Sequence, residues 1–111
     1  LPPMLALQRA YLAQCALAHA GNVFTSEWPE TTGGTLIATW SLSEADLVTR
    51  QRALAAASGF SRVLIAYQPN WHKMDNALYF ATFRKMAGPG ILWHDEPAWG
   101  HTRYLFGARG L

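Results

Sequence analysis

A chain of 111 residues that is 50% hydrophobic and 14% charged has enough apolar surface to bury one core without a metal or disulfide, and too much to stay disordered. Its formal net charge of +2 is too small to mark a nucleic-acid protein, and no stretch reaches the roughly 18 apolar residues of a membrane span. Cys15 is the one cysteine, so no internal disulfide can form, and a chain of this size without bridges reads as cytoplasmic.

Pro2 and Pro3 open the first helix, because its first turn has no use for their missing N–H groups. The helical pattern runs to about Ala20, where Gly21 and Asn22 stop it. Gln8, Arg9 and Gln14 interrupt this apolar stretch and no basic segment precedes it, which argues for a helix of the fold rather than a secretory leader. Cys15, set among alanine and leucine, is expected inside as a small hydrophobe. Residues 22–34 contain Pro29, Gly33 and Gly34 and read as a loop, with Val23, Phe24 and Thr25 a short edge strand at most. Residues 35–40 are β-branched and apolar, as a strand requires. Ser43 followed by Asp46 resembles a capping box and starts the second helix. Its inner stripe is expected to be Leu47, Val48, Gln51, Leu54, Ala55 and Ser58, with Asp46 and Arg50 paired on the outside and Gly59 at its end.

Residues 62–67 form an unbroken apolar run, the mark of a strand covered on both faces. Strand, helix and strand over this length make a parallel unit with a right-handed crossover. A third helix is predicted over residues 72–86, and Gly88, Pro89 and Gly90 break the chain after it. Residues 91–94 and 102–106 then pair as an antiparallel hairpin, leaving 107–111 as a tail. The sum is one α+β domain over residues 1–111 in the order α-β-α-β-α-β-β. Three helices pack on a small mixed sheet of about four strands, built from a βαβ unit and a C-terminal antiparallel hairpin.

Standard chemical motifs are missing from the sequence. There is no glycine-rich phosphate loop, no paired-cysteine metal motif, no His-Glu-x-x-His and no serine elbow. What remains is an excess of rings, five Trp, four Tyr and five Phe, more than one small core easily hides. Exposed aromatic surface usually means a partner. At 100° per residue, Met74, Ala77, Leu78 and Ala81 form the natural core face of the third helix. His72, Asn76, Tyr79 and Phe83 then fall opposite, with Trp71 just before them. This stripe is either covered by another part of the chain or a partner surface, for a protein or a second copy. Lys73, Arg84 and Lys85 beside it also admit single-stranded nucleic acid, and the half of the chain from residue 61 onward carries six basic against three acidic residues.

The second candidate is the hairpin mouth, Trp93 to His101. If the hairpin closes symmetrically, His94 and His101 face each other across the strands. Their Cβ atoms would then lie roughly 5 Å apart, and Asp95 or Glu96 could complete a divalent metal site with an open position. The bland alternative is a solvated loop with Trp93 and Trp99 packed across it. The leading expectation is a non-enzymatic binding or regulatory module without a cofactor. It would act through an aromatic surface on a protein partner or as a homo-oligomer, with no membrane partner. The alternatives are a small metal-dependent hydrolase or nuclease at the hairpin mouth, and a single-stranded nucleic-acid binder.

Overall fold

The computed structural model describes residues 2–15, 28 and 32–110. Helix α1 spans Pro2–Gln14, and the βαβ unit follows as β1 (Thr35–Thr39), α2 (Leu47–Ala56) and β2 (Arg62–Tyr67), with a short 3₁₀ turn at Ala57–Gly59. A small hairpin of β3 (Asn70–Trp71) and β4 (Met74–Asp75) leads into α3 (Asn76–Met86), and the chain closes with β5 (Ile91–Pro97) and β6 (Arg103–Arg109). The main sheet has the order β1-β2-β6-β5. β1 and β2 are parallel, whereas β6 runs antiparallel to both β2 and β5. The expected mixed four-stranded sheet with three helices is therefore present, and β2 is an interior strand parallel to β1. The expected strand at Val23–Thr25 and the end of the first helix near Ala20 lie outside the described residues. Among the described residues, no helix is long and apolar enough to cross a membrane.

Strand periodicity splits the sheet into two faces. Val63, Ile65 and Tyr67 of β2 and Leu105 of β6 point to one side, where Ala53, Ala57, Phe80 and Phe83 cover them as the core. Tyr67 packs on Phe80 with ring centroids 4.6 Å apart, and Phe83 meets Trp93 edge-on at 6.3 Å. Gly107 lies beneath Trp93, where a Cβ would come within 2.5 Å of the indole ring. A side chain at this point would force the edge strand away from the core.

Three parts of the helical layer differ from the sequence expectation. α2 turns Arg50, Ala53 and Ala57 inward and leaves Leu47, Val48, Gln51, Ala55 and Ser58 exposed. Arg50 is 6% exposed and forms no outer pair with Asp46. Its guanidinium donates to the Leu42 carbonyl at 3.0 Å and to Asn76 Oδ1 at 2.8 Å, and lies 3.9 Å over the Tyr79 ring. These bonds, all made through Nη1, and the ring contact hold Arg50 inside, and α2 turns that face toward the core. The cap of α2 is Asp46, which accepts from Thr49 N, while Ser43 Oγ donates instead to the Trp40 carbonyl. That bond to Thr49 N holds the Asp46 carboxyl below its ordinary pKa.

α3 begins at Asn76 rather than near His72, because residues 70–75 form the β3–β4 hairpin, whose turn places His72 and Lys73 at φ of 42° and 67°. Asp75 caps the helix by accepting from Leu78 N at 3.0 Å. Its faces are the reverse of those expected. Asn76, Phe80 and Phe83 are fully buried and Tyr79 is half-buried, whereas Leu78 is 65% exposed and Ala77 and Ala81 face solvent. Two phenylalanines remove more apolar area from water than two alanines and a leucine, so packing selects that face. At the termini, Cys15 is exposed rather than buried, and residues 107–109, expected as tail, are paired in β6.

This orientation separates two substitutions on one helix. Phe83→Ala is expected to cost about 3–5 kcal/mol of unfolding free energy, and Leu78→Lys to stay within about 0.5 kcal/mol. Urea denaturation of both variants checks the pair, and comparable losses would mean the faces are misassigned.

Candidate functional site on the open face of the sheet

α2 and α3 cover one side of the sheet, so the alternate residues of every strand look out on the other. β1 presents Ile37, β2 presents Arg62 and Leu64, β6 presents Tyr104 and Phe106, and β5 presents Leu92, His94 and Glu96. Ile37 is 65% exposed and Leu92 66%, and Phe106 and Trp40 are exposed as well. A shallow hollow of about 420 Å³ runs between Leu64, Leu92, His94 and Phe106, with Arg62 at its side. The His94 ring stacks on Phe106 at 6.3 Å, and Tyr104 lies 6.0 Å from Phe106.

At one end of this face the loops add two more rings. Trp40 ends β1 with φ of 61°, a conformation that bulky side chains rarely adopt. Three hydrogen bonds hold it there: Trp40 N donates to the Ala66 carbonyl at 2.7 Å, and the Trp40 carbonyl accepts from Ser43 Oγ and Glu44 N. Trp99 stands 79% exposed on the β5–β6 turn. Ala98 N donates to the Thr102 carbonyl and Thr102 N to the Trp99 carbonyl, which closes this turn tightly. Trp40, Ala98, Trp99, Thr102 and Tyr104 enclose a pocket of about 370 Å³.

Of the two candidates read from the sequence, only His94 and Glu96 of the hairpin mouth lie on this surface. Asn76, Tyr79 and Phe83 belong to the core side of α3. Trp71 is half-buried and packs edge-on against the exposed His72 within the β3–β4 hairpin, at 4.4 Å. At the hairpin mouth, His94 lies opposite Phe106 rather than His101, because the strands extend as far as the pair Pro97 and Arg103. His101 sits exposed in the turn beyond them. The pleat then parts the acids: Glu96 meets His94 on the open face, Oε2 to Nε2 at 3.0 Å, while Asp95 points to the helical side. Among the described residues, no three ligating side chains converge to hold a metal. The two tryptophans part in the same way, with Trp93 against the core and Trp99 in solvent.

Asp95 instead anchors the edge strand. It accepts from Tyr67 OH at 2.7 Å and from Arg84 at 2.7 Å through Oδ2, and from Arg103 Nε at 2.9 Å through Oδ1. Burial, helped by the Asp95 bond and charge, pushes the Tyr67 hydroxyl up to about 12. Burial does the same to Tyr79, also to about 12, against the opposing charge of Arg50. The bond to Asp95 raises the Arg103 pKa. Arg109 donates to the carbonyls of Phe60, Pro89 and Ala87. Of the strand arginines, therefore, Arg62 is the one that lies on the open face. Of the open face, the sequence reading singles out His94 and Glu96, but as metal ligands; Tyr104 and Phe106 escape it because their signal is a plain alternation against Arg103 and Leu105, inside a segment read only as half of a hairpin.

Comparison with protein-family models, curated proteins and solved structures finds no match for this chain.

The two tyrosines predict an alkaline transition. Below pH 10 both are protonated in the folded and unfolded chain. Between about 10 and 12 the unfolded chain loses these protons while the folded protein keeps them, so stability is full below pH 10 and falls as pH rises toward 12. Urea midpoints measured across this window should decline. The decline should be shallower in Tyr79→Phe, and an identical slope in that variant would contradict the assignment.

Proposed function

We propose that this chain is a non-enzymatic binding module for a protein partner, a second copy of itself included, and that its recognition surface is the open face of the sheet. The observation that carries the reading is the concentration of exposed Ile37, Leu92, Phe106, Trp40 and Trp99 on the side that α2 and α3 leave bare. Monomers rarely keep apolar patches of that kind without a use for them, and aromatics with few charges match the core of a protein interface. Two alternatives have less support. A metal-dependent hydrolase lacks a converged set of ligands among the described residues. A single-stranded nucleic-acid binder needs cations beside its stacking rings, and Arg84 and Arg103 are spent on Asp95. The lone thiol, exposed and unpaired at Cys15, suits the reducing cytoplasm.

Ile37→Lys combined with Leu92→Lys tests the reading, because both side chains are solvent-exposed and the fold should survive within about 1 kcal/mol. The unmodified protein should self-associate in sedimentation equilibrium or retain a discrete partner in affinity capture, and the double variant should lose that interaction with its circular dichroism unchanged. A protein that stays monomeric at high concentration, and that captures the same material with or without the substitutions, would refute it.

A further inference from the structure

We propose that the pocket between Trp40, Trp99 and Tyr104 receives a proline-rich segment of the partner in the polyproline II conformation. This rests on the binding-module reading and names the chemistry that one end of its surface recognises.

The inventory of donors and acceptors in the pocket carries the inference. Each tryptophan brings an indole N–H, which donates only, and Tyr104 brings a hydroxyl. Among the described residues, none of these three groups has a hydrogen-bond partner. Three of the wall's carbonyls already accept a hydrogen bond. Trp40 O is taken by Ser43 Oγ and Glu44 N, Trp99 O by Thr102 N, and Thr102 O by Ala98 N. The pocket thus offers ring faces and unpartnered donors, while the Trp40, Trp99 and Thr102 carbonyls already serve the fold. It fits a ligand with apolar surface and strong acceptors and no donors to satisfy. A run of prolines is that ligand, because every amide lacks N–H and every carbonyl projects outward from a helix without internal hydrogen bonds.

The competing chemistries each lack something here. A sugar or a nucleobase brings donors that would have to share the Trp40, Trp99 and Thr102 carbonyls with bonds of the fold, and a phosphate finds no cation among Trp40, Ala98, Trp99, Thr102 and Tyr104. A methylated ammonium is attracted by aromatic faces, but none of these five residues is a carboxylate. The walls are also built in advance. Trp40 is locked in a left-handed backbone conformation by three hydrogen bonds, and the Trp99 turn is closed by two. A slot whose backbone is already fixed and a ligand that is already extended lose little freedom on meeting.

A short all-proline peptide is titrated into the full chain, with tryptophan fluorescence and calorimetry as readouts. A glycine-serine peptide of equal length, a trimethyllysine peptide and oligothymidylate are run alongside. Saturable binding of the proline peptide is expected, with no saturation by the other three. Trp99→Ala should weaken it about tenfold or more, with an unchanged melt, and Leu78→Lys on the helical side should leave it as it is. No saturation by the proline peptide, an affinity indifferent to Trp99→Ala, or tighter binding of the methylated or nucleic-acid probe would each overturn the proposal. If the proline peptide fails while Ile37→Lys with Leu92→Lys still abolishes association, the proline assignment falls and the binding module stands.

Discussion

Arg50 lies inside this protein with carbonyls, an amide and a ring around it in place of a carboxylate. Burying a guanidinium is costly unless it finds acceptors, and burial lowers its pKa. Nη1 donates to the Leu42 carbonyl after β1 and to Asn76 Oδ1 at the start of α3, and the guanidinium lies over the face of Tyr79. Asn76 then spends its own amide hydrogens on the Ser43 and Gln68 carbonyls, while Tyr79 OH donates to the Arg50 carbonyl at 2.7 Å. One charge thereby ties together α2, α3 and the loops that follow β1 and β2. The rotation of α2 and the inward turn of Asn76 and Tyr79 accompany these bonds, and the burial of Phe80 and Phe83 favours the same face of α3.

With both C-terminal helices drawn to one side, the sheet acquires two unlike faces. The helical side holds the aromatic core and, at its margin, Asp95 with Tyr67, Arg84 and Arg103. That cluster binds edge strand β5 to its neighbour β6, to β2 and to α3. It also uses up two arginines that would otherwise give the protein a basic surface. The open side is mainly apolar, with Arg62, His94 and Glu96 among its few polar side chains, a composition nearer to a protein interface core than to a phosphate track.

The rim of the open face is assembled from parts remote in sequence. The strained backbone at Trp40 turns the chain out of β1, and the β5–β6 turn carries Trp99 to the same end of the sheet. Local strain of this kind persists only where the surroundings over-determine it, and at Trp40 they do so through Ala66, Ser43 and Glu44. Aromatic walls on a fixed backbone suit recognition of a preformed segment better than chemistry, because the pocket holds rings and donors and no acid, base or nucleophile beyond the Tyr104 and Thr102 hydroxyls.

Much of the architecture was legible in the residues themselves. The unbroken apolar run from Val63 to Ala66 required an interior strand, the β-branched run before it a parallel neighbour, and the glycines and prolines punctuated the chain where the elements end. These are local properties, set by backbone sterics and hydropathy within a few residues. The faces were decided elsewhere. α3 is apolar nearly all round, so its sequence could not say whether Phe83 or Leu78 turned inward, and hydropathy placed Arg50 outside because its acceptors are 7, 8 and 26 residues away. The hairpin register depended on how tightly residues 98–102 close, and with it went the imagined meeting of His94 and His101. The pocket of Trp40, Trp99 and Tyr104 exists only once β1 and β6 flank β2. Sequence alone determined which elements form, since that choice is local, and only the tertiary structure decided which way each one faces, since that depends on partners far along the chain.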